Sequence, residues 1–329
     1  MRRYRFLRCA PRIGFFLASI AACLAMIGCG PNIDLNTVRE LDRSAVAAEP
    51  SFAAIAHDYA ASCVRVGIWT FAATKADFGS IESKCKDSQL VADQWEAMNS
   101  IILKYVRALG ALAGVVATDT DFGTQIDALV NKVSAIGPTP IVAPAQLTNF
   151  VGLGTSLVRA YSDARRKGAV AKFAKDADTY VHMITVEILE PAAQEHYATR
   201  LDVERAAVDT FFERALVNLL PGVTTPGTSP QTATPGTSLQ TTPPGPSAAD
   251  MTFQVLQLKA DWGRERQVVE DKRVAITAYV AMLNDIAGAN AALSKGAAMS
   301  PPEDVIQRLQ VYLPDFEDQI SKLKAAFPE

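Results

Sequence analysis

The chain has few of the residues that build active sites. Its 329 residues include only three histidines, His57, His182 and His196, and five cysteines. It contains no His-Glu-x-x-His zinc motif and no Gly-x-Ser-x-Gly nucleophile elbow. Gly152-Leu153-Gly154-Thr155-Ser156 has the glycine spacing of a phosphate loop. It lacks the lysine and the preceding strand, so it reads as a small-residue contact on a helix. Asp178 and His182 stand four apart, with Glu195-His196 further on. The second Glu-x-x-His that a di-metal bundle needs is missing, and so is the first. These side chains are therefore expected to be ion-paired or solvent-facing, with no metal and no cofactor.

Other absences narrow the class. No alternating strand pattern occurs, which excludes a sheet-based core. Beyond the first 28 residues no apolar run approaches the roughly 20 that a membrane span requires. Removing the five arginines of that first segment from 32 basic residues leaves 27 against 35 acidic, a net of −8. A mildly acidic body argues against nucleic acid, whose phosphates demand clustered Lys and Arg. It argues equally against electrostatic adhesion to anionic lipid.

What the chain does have begins at its start. Arg2, Arg3, Arg5, Arg8 and Arg12 precede an apolar run from Ile13 to Ile27, too short for a comfortable span. A basic start, a short apolar core and small residues at its end make a secretory signal. Its ending, Leu24-Ala25-Met26-Ile27-Gly28-Cys29, resembles the lipobox of bacterial lipoproteins. That resemblance implies cleavage before Cys29, acylation of its thiol and amine with chains such as palmitate, and anchoring to a membrane of the cell envelope. Each buried CH₂ adds about 0.8 kcal/mol, so several chains hold where one would come off. Gly30 stands where an aspartate, by resemblance to enteric lipoproteins, would imply retention at the inner membrane, so the outer membrane of an envelope with a periplasm is the expected site.

Export also governs the remaining cysteines. Cys9 and Cys23 leave with the signal and Cys29 carries lipid, which leaves Cys63 and Cys85 as a pair. In an oxidising compartment they are expected to form a disulfide.

The rest of the mature chain reads as helix after helix. Asp34 and Asn36 are candidate caps for a first helix, which Pro50 is expected to stop. Ser51 then caps a second, with Phe52, Ile55, Tyr59, Val66 and Trp69 at helical spacing. Ser80 to Cys85 is a corner that the disulfide would pin to that helix. Ser88 to Ala117 carries Trp95, Met98, Ile102, Tyr105 and Leu109 in three-four steps, the seam of a helix laid lengthwise against neighbours. Gly110 and Gly114 on it suggest a close helix approach, because glycine costs a helix about 1 kcal/mol. A shorter helix through Ile126 and Val133 ends at Gly137-Pro138, and Pro138 to Pro144 is extended.

Further helices carry Phe150 to Tyr161, ending in the cations Arg165-Arg166-Lys167, and Phe173 to Ile188. Glu190-Pro191 is expected to kink or break the chain before a helix from Tyr197 to Leu219. Thr225-Pro226-Gly227-Thr228-Ser229 then recurs as Thr234-Pro235-Gly236-Thr237-Ser238 in a stretch almost without apolar side chains, which is expected to be disordered. Such a stretch can accept O-linked sugar, although an unmodified spacer is the simpler reading. Asp250 caps the longest helix, running to about Gly296. Its charged patch, Arg264 to Arg273, places Glu265 and Lys272 on the apolar seam, so a wet, projecting stretch is expected there. Ser300-Pro301-Pro302-Glu303 opens a last helix with a bend at Pro314.

The fold expected is all-α: an elongated, mostly antiparallel multi-helix bundle, coiled-coil-like in its seams, with one long Pro/Thr-rich disordered loop. Residues 1–28 are the signal and 29–36 a tether. Residues 37–220 form the first part of the bundle, 221–248 the loop, and 249–329 the long and C-terminal helices that complete it. With no catalytic inventory, the expected role is a non-enzymatic interaction or structural module on a lipid anchor, presenting helical surface to an envelope or secreted protein. An immunity lipoprotein that neutralises an exported toxin is a special case. The alternative class is a binder of an apolar small molecule or lipid, in a cavity lined by Trp69, Trp95 and Tyr105.

Overall fold

A computed structural model describes residues 35–74, 79–114, 121–167, 170–219, 248–296 and 302–327. The signal, Cys29 and nearly all of the Thr/Pro stretch lie outside the described residues. The elements are α1 (Leu35–Thr74), α2 (Gly79–Lys84), α3 (Lys86–Leu112), α4 (Phe122–Ile136), α5 (Pro144–Lys167) and α6 (Val170–His182). The last continues without interruption through two π-helical stretches, Met183–Leu189 and Ala192–Tyr197, into α7 (Ala198–Leu219). After the undescribed segment come α8 (Ala248–Gly296) and α9 (Pro302–Ala326). The only strand-like pairing among the described residues is one bridge, Thr139 to Val142. The fold is an all-α bundle, and at about 1.5 Å per residue the 49 residues of α8 span about 70 Å.

The expectation at Pro50 fails, and of the kink or break expected at Pro191 the break does not occur. Pro50 does not stop a helix; it lies inside the 40-residue α1. Ser51 is therefore buried within a helix rather than capping one. The carbonyl that Pro50 deprives of its partner belongs to Val46, an exposed residue, so water can serve it. Pro191 does not break the chain either. Its ring would clash with the Glu187 carbonyl four residues back. The flanking π turns widen the helix there: the Glu190 N–H reaches back five residues to the Thr185 carbonyl. The freed Glu187 carbonyl accepts from Gln146 Nε2 on α5 at 3.2 Å.

Successive long helices run antiparallel. α3 packs along α1, with Asn99 opposite Phe52 and Gly110 opposite Asp42. A Cβ at Gly110 would sit 2.6 Å from Asp42 Cβ, so the close approach expected there is real. Gly114 instead follows the end of α3 at φ +88°, a left-handed turn rather than a helix contact. Gly137 ends α4 at φ +82° with open space around it, so conformation alone requires glycine. Gly154 meets Asp127, as a small-residue contact should.

The core runs the length of the body and is rich in rings: Trp95, Tyr105, Tyr197, Tyr279 and Phe52 are all almost fully buried. Their polar atoms are paired. Trp95 Nε1–H donates to Tyr279 Oη (2.9 Å), Tyr279 O–H to Asn99 Oδ1 (2.6 Å), and Asn99 Nδ2–H to the Phe52 carbonyl (2.8 Å). Three helices are thereby tied in register, and burial without loss of a hydrogen bond is the condition for such groups to be tolerated. Tyr105 O–H donates to Asn290 Oδ1, and Asn290 Nδ2–H to Asp178 Oδ1, joining α3, α8 and α6 in the same way.

Candidate functional site

α1, α7 and α8 extend past the point where α3 begins. Cys63 on α1 lies level with Cys85, the residue before α3, the two sulfurs 2.06 Å and the two Cα atoms 5.8 Å apart. The expected disulfide partners therefore do meet and pin the α2 corner. Beyond that level, the end of α1, residues 205–219 of α7 and residues 248–268 of α8 form a three-helix limb. Its small core is Trp69 on α1 against Phe211 and Phe212 on α7 (ring centroids 5.1 and 5.7 Å), with Phe212 stacked on Trp262 of α8 at 6.3 Å. Trp262 Nε1–H donates to Asp209 at 2.7 Å.

The limb is unevenly covered. From Met251 to Val268, α8 has no buried residue, and its next turn begins the body with Val269. Phe253 (67 % exposed), Leu256 (61 %) and Val217 (63 %) stand in solvent near the limb's end, with Ile68 and Val268 also exposed. Half of the ten large exposed hydrophobic side chains described lie on this limb. Surface apolar residues scattered singly need no account, whereas large contiguous apolar patches are uncommon on soluble proteins.

At the junction of limb and body sits a buried ionic cluster. Arg65 on α1 forks both to Asp58 (Nη1–H and Nη2–H, 2.8 Å each) and to Glu204 on α7 (Nε–H, 2.5 Å). Ser62 O–H donates to Glu204 at 2.6 Å, Lys272 Nζ on α8 lies 3.0 Å from Asp58, and Tyr197 O–H donates to Asp58. Burial alone would push the Asp58 carboxyl up. The Arg65 fork, Lys272 and the Tyr197 hydroxyl outweigh it and hold that carboxyl below the usual range. Burial likewise opposes charge on Arg65, but Glu204 and Asp58 raise it overall. Burial, reinforced by Asp58, keeps the Tyr197 phenol protonated. Two carboxylates and two cations balance, so the cluster fixes how three helices meet without presenting a reactive proton.

This cluster corrects the reading of α8. Lys272 does not make the helix wet: it is buried and paired with Asp58. Its neighbours form a ladder to α7, Arg273 with Asp202, Glu270 with Arg205 (3.6 Å) and Arg266 with Asp209 (3.4 Å). Only the stretch before Val269 projects. The cavity expected between Trp69, Trp95 and Tyr105 does not form. Trp95 packs on Tyr59, Tyr197 and Tyr279, Tyr105 on Phe173, and Trp69 lies in the limb.

The histidines scatter. His57 is exposed, 3.8 Å from Glu96, and His182 is exposed, 4.0 Å from Glu187. Thirteen helical residues, about 20 Å, separate His182 from Glu195, so Asp178, His182, Glu195 and His196 do not converge. Among the described residues no three His, Cys, Asp or Glu side chains are placed to hold a metal. No described helix is long and apolar enough to cross a membrane.

One groove lies beside the junction cluster, between α1 and the start of α7. Its volume is about 460 Å³. Tyr59 and Val66 form its α1 wall; His196, Arg200 and Val203 form the opposite one. The Arg200 guanidinium lies over the Tyr59 ring, 4.4 Å from its centroid, and donates to Ser88 Oγ at 2.6 Å.

Comparison with known proteins finds no family model, no curated protein and no solved structure that matches the chain.

Proposed function

We propose that the protein is a lipid-anchored component of the cell envelope that works by presenting surface, not by catalysis. The observation that carries this reading is an axial one. The acylatable Cys29 precedes Leu35, the first residue of α1, by six positions, while the exposed apolar limb lies at that helix's other end. From Arg39, which holds the Ala113 carbonyl, to Trp69 is about 45 Å along the helix. An acyl chain at one end and uncovered Phe253, Leu256 and Val217 at the other suit a post that carries a protein-binding face away from a membrane. The lipobox resemblance supports an envelope address and the outer membrane.

The partner class is another envelope or secreted protein; an exported toxin would make the role one of immunity. The test is recovery from membranes. Cys29→Ser is expected to leave the membrane fraction, and the mature wild-type chain to begin at an acylated Cys29. Phe253→Glu with Leu256→Glu is expected to keep the membrane address and lose the copurifying partner. A chain that retains its initiating methionine in the soluble fraction would overturn the reading, as would turnover of a substrate without any partner.

A further inference from the structure

We infer that the groove between α1 and the start of α7 is a binding site for a small amphipathic anion, one carboxylate or phosphate head on an apolar body. This does not rest on the docking role of the limb. The argument begins from Arg200. The other arginines of this junction each meet a carboxylate: Arg65 with Asp58 and Glu204, Arg205 with Glu270, Arg266 with Asp209, Arg273 with Asp202. Arg200 meets none among the described residues. It pairs instead with the Ser88 hydroxyl and the face of Tyr59.

A guanidinium presents five N–H donors in a rigid fork that matches carboxylate and phosphate oxygens. Ser88 occupies one of the five. Tyr59 and Ser88 hold the head in place before any ligand arrives, which lowers the cost of ordering it. His196, one turn back on the same helix face, lines the same groove and adds a second donor beside Arg200.

Much of the remaining lining is apolar. Tyr59, Cys63 and Val66 follow one another at i, i+4 and i+7 on α1, and Val203 stands opposite, half exposed. Cys63 is bonded to Cys85, so it contributes surface and no thiol. Glu195 also lines the groove, with Thr199, on the more exposed row next to the His196–Arg200 row. It disfavours a dianion and leaves room for one charge. A volume of about 460 Å³ is in the range of small-molecule sites, which are mostly apolar with a few placed polar groups. The combination selects for length and one anionic end, and against neutral analogues that would leave Arg200 unmatched.

The test uses the full-length lipidated protein in phosphatidylcholine nanodiscs, titrated with octanoate, octyl phosphate and octanol, with heat from empty nanodiscs subtracted. One saturable site is expected for at least one of the two anions, with octanol at least tenfold weaker. Comparing octanoate with octyl phosphate separates a carboxylate site from a phosphate site. Arg200→Gln is expected to weaken the anion at least tenfold, and Arg200→Lys to restore part of the loss. Should Arg200→Gln fail to fold, Val203→Asp carries the test, because that side chain is exposed and its replacement puts a carboxylate in the groove. It too is expected to cost at least tenfold, while Val151→Asp, exposed on α5, changes nothing. Octanol binding as tightly as the anions would overturn the inference. So would a folded Arg200→Gln or Val203→Asp that binds unchanged, or the absence of saturable binding by either anion.

Discussion

The body and the limb are built from the same helices and differ in what surrounds them. In the body α1 is flanked by α3, α7 and α9, and its apolar stripe through Phe52, Ile55 and Tyr59 disappears from solvent. In the limb the same helix has α2 beside Gly67 and α7 against Trp69, and Ile68 and Trp69 remain partly open. α8 makes the contrast within one element: no buried residue from 251 to 268, then Val269, Lys272, Ala275, Ile276 and Tyr279 in succession. A long helix owes its existence to packing over part of its length, and the rest is carried outward as surface. Thus the apolar side chains of the limb stay exposed where few of the described helices reach.

The contrast can be broken most sharply at its aromatic residues. Trp95→Ala empties a fully enclosed site in the body and orphans the Tyr279–Asn99 chain. About 3–5 kcal/mol of stability should be lost, with the whole protein melting earlier in calorimetry. Trp262→Ala removes a partly exposed ring from the limb and should cost about 1 kcal/mol, leaving the main transition nearly in place. Equal costs would show that limb and body are one cooperative unit.

The junction comes next. Asp58→Ala leaves Lys272 and Arg65 short of an anion in a buried setting, a change that costs about 3 kcal/mol or more in comparable cases. Because Asp58 binds α8 to α1, proteolysis within the limb should accelerate along with the loss of stability. Replacing Cys63 and Cys85 with alanine reopens a loop of 22 residues' separation and should cost about 3 kcal/mol by the chain-entropy argument. Hydrogen exchange should rise at α2 and the start of α3 rather than at Phe253 and Leu256.

The smallest expected effect lies at the opposite end of the body. Burial raises the Asp285 carboxyl of α8 to about 6; a hydrogen bond from Gln319 on α9 opposes the shift and nearby Asp315 adds to it. Asp285 Oδ2 and Gln319 Oε1 have no hydrogen-bond partner. The folded state therefore holds a proton that the unfolded state, titrating near 3.8, has released, so stability falls as pH rises from about 4 to about 6 and is level above. Asp285→Asn should raise the melting temperature at pH 8 and leave it unchanged at pH 4. The gain should be about 1 kcal/mol or less, since solvent screens a half-exposed carboxyl. A variant that melts like wild type at both pH values would remove the titrating contact from the account.

Helix content, the Cys63–Cys85 pair, the close approach at Gly110 and the long α8 were legible because each depends on local spacing or on arithmetic over a few residue types. The break expected at Pro191 does not occur because the partner that relieves it, Gln146, stands on another helix, 41 residues from the Glu187 carbonyl it serves. Lys272 was misread for a related reason. Charge on an apolar seam signals water unless an opposite charge is buried against it, and Asp58 is more than 200 residues away in the chain. The limb and the Arg200 groove carry no periodic signal, since both depend on which helices stop short. Sequence spacing conceals Arg200 rather than marking it: Glu204, four residues on, offers an apparent partner, but that carboxylate faces Arg65 instead.

The most direct measurement is site-specific photocross-linking in intact envelopes, with the probe placed in turn at Phe253 and Leu256 on the limb and at Val151 on the body. All three positions are exposed in the isolated chain. A discrete protein adduct from Phe253 and Leu256, and none from Val151, is the result expected. Adducts from Val151 alone, or from no position, would contradict the claim that the far end of the bundle is its working surface.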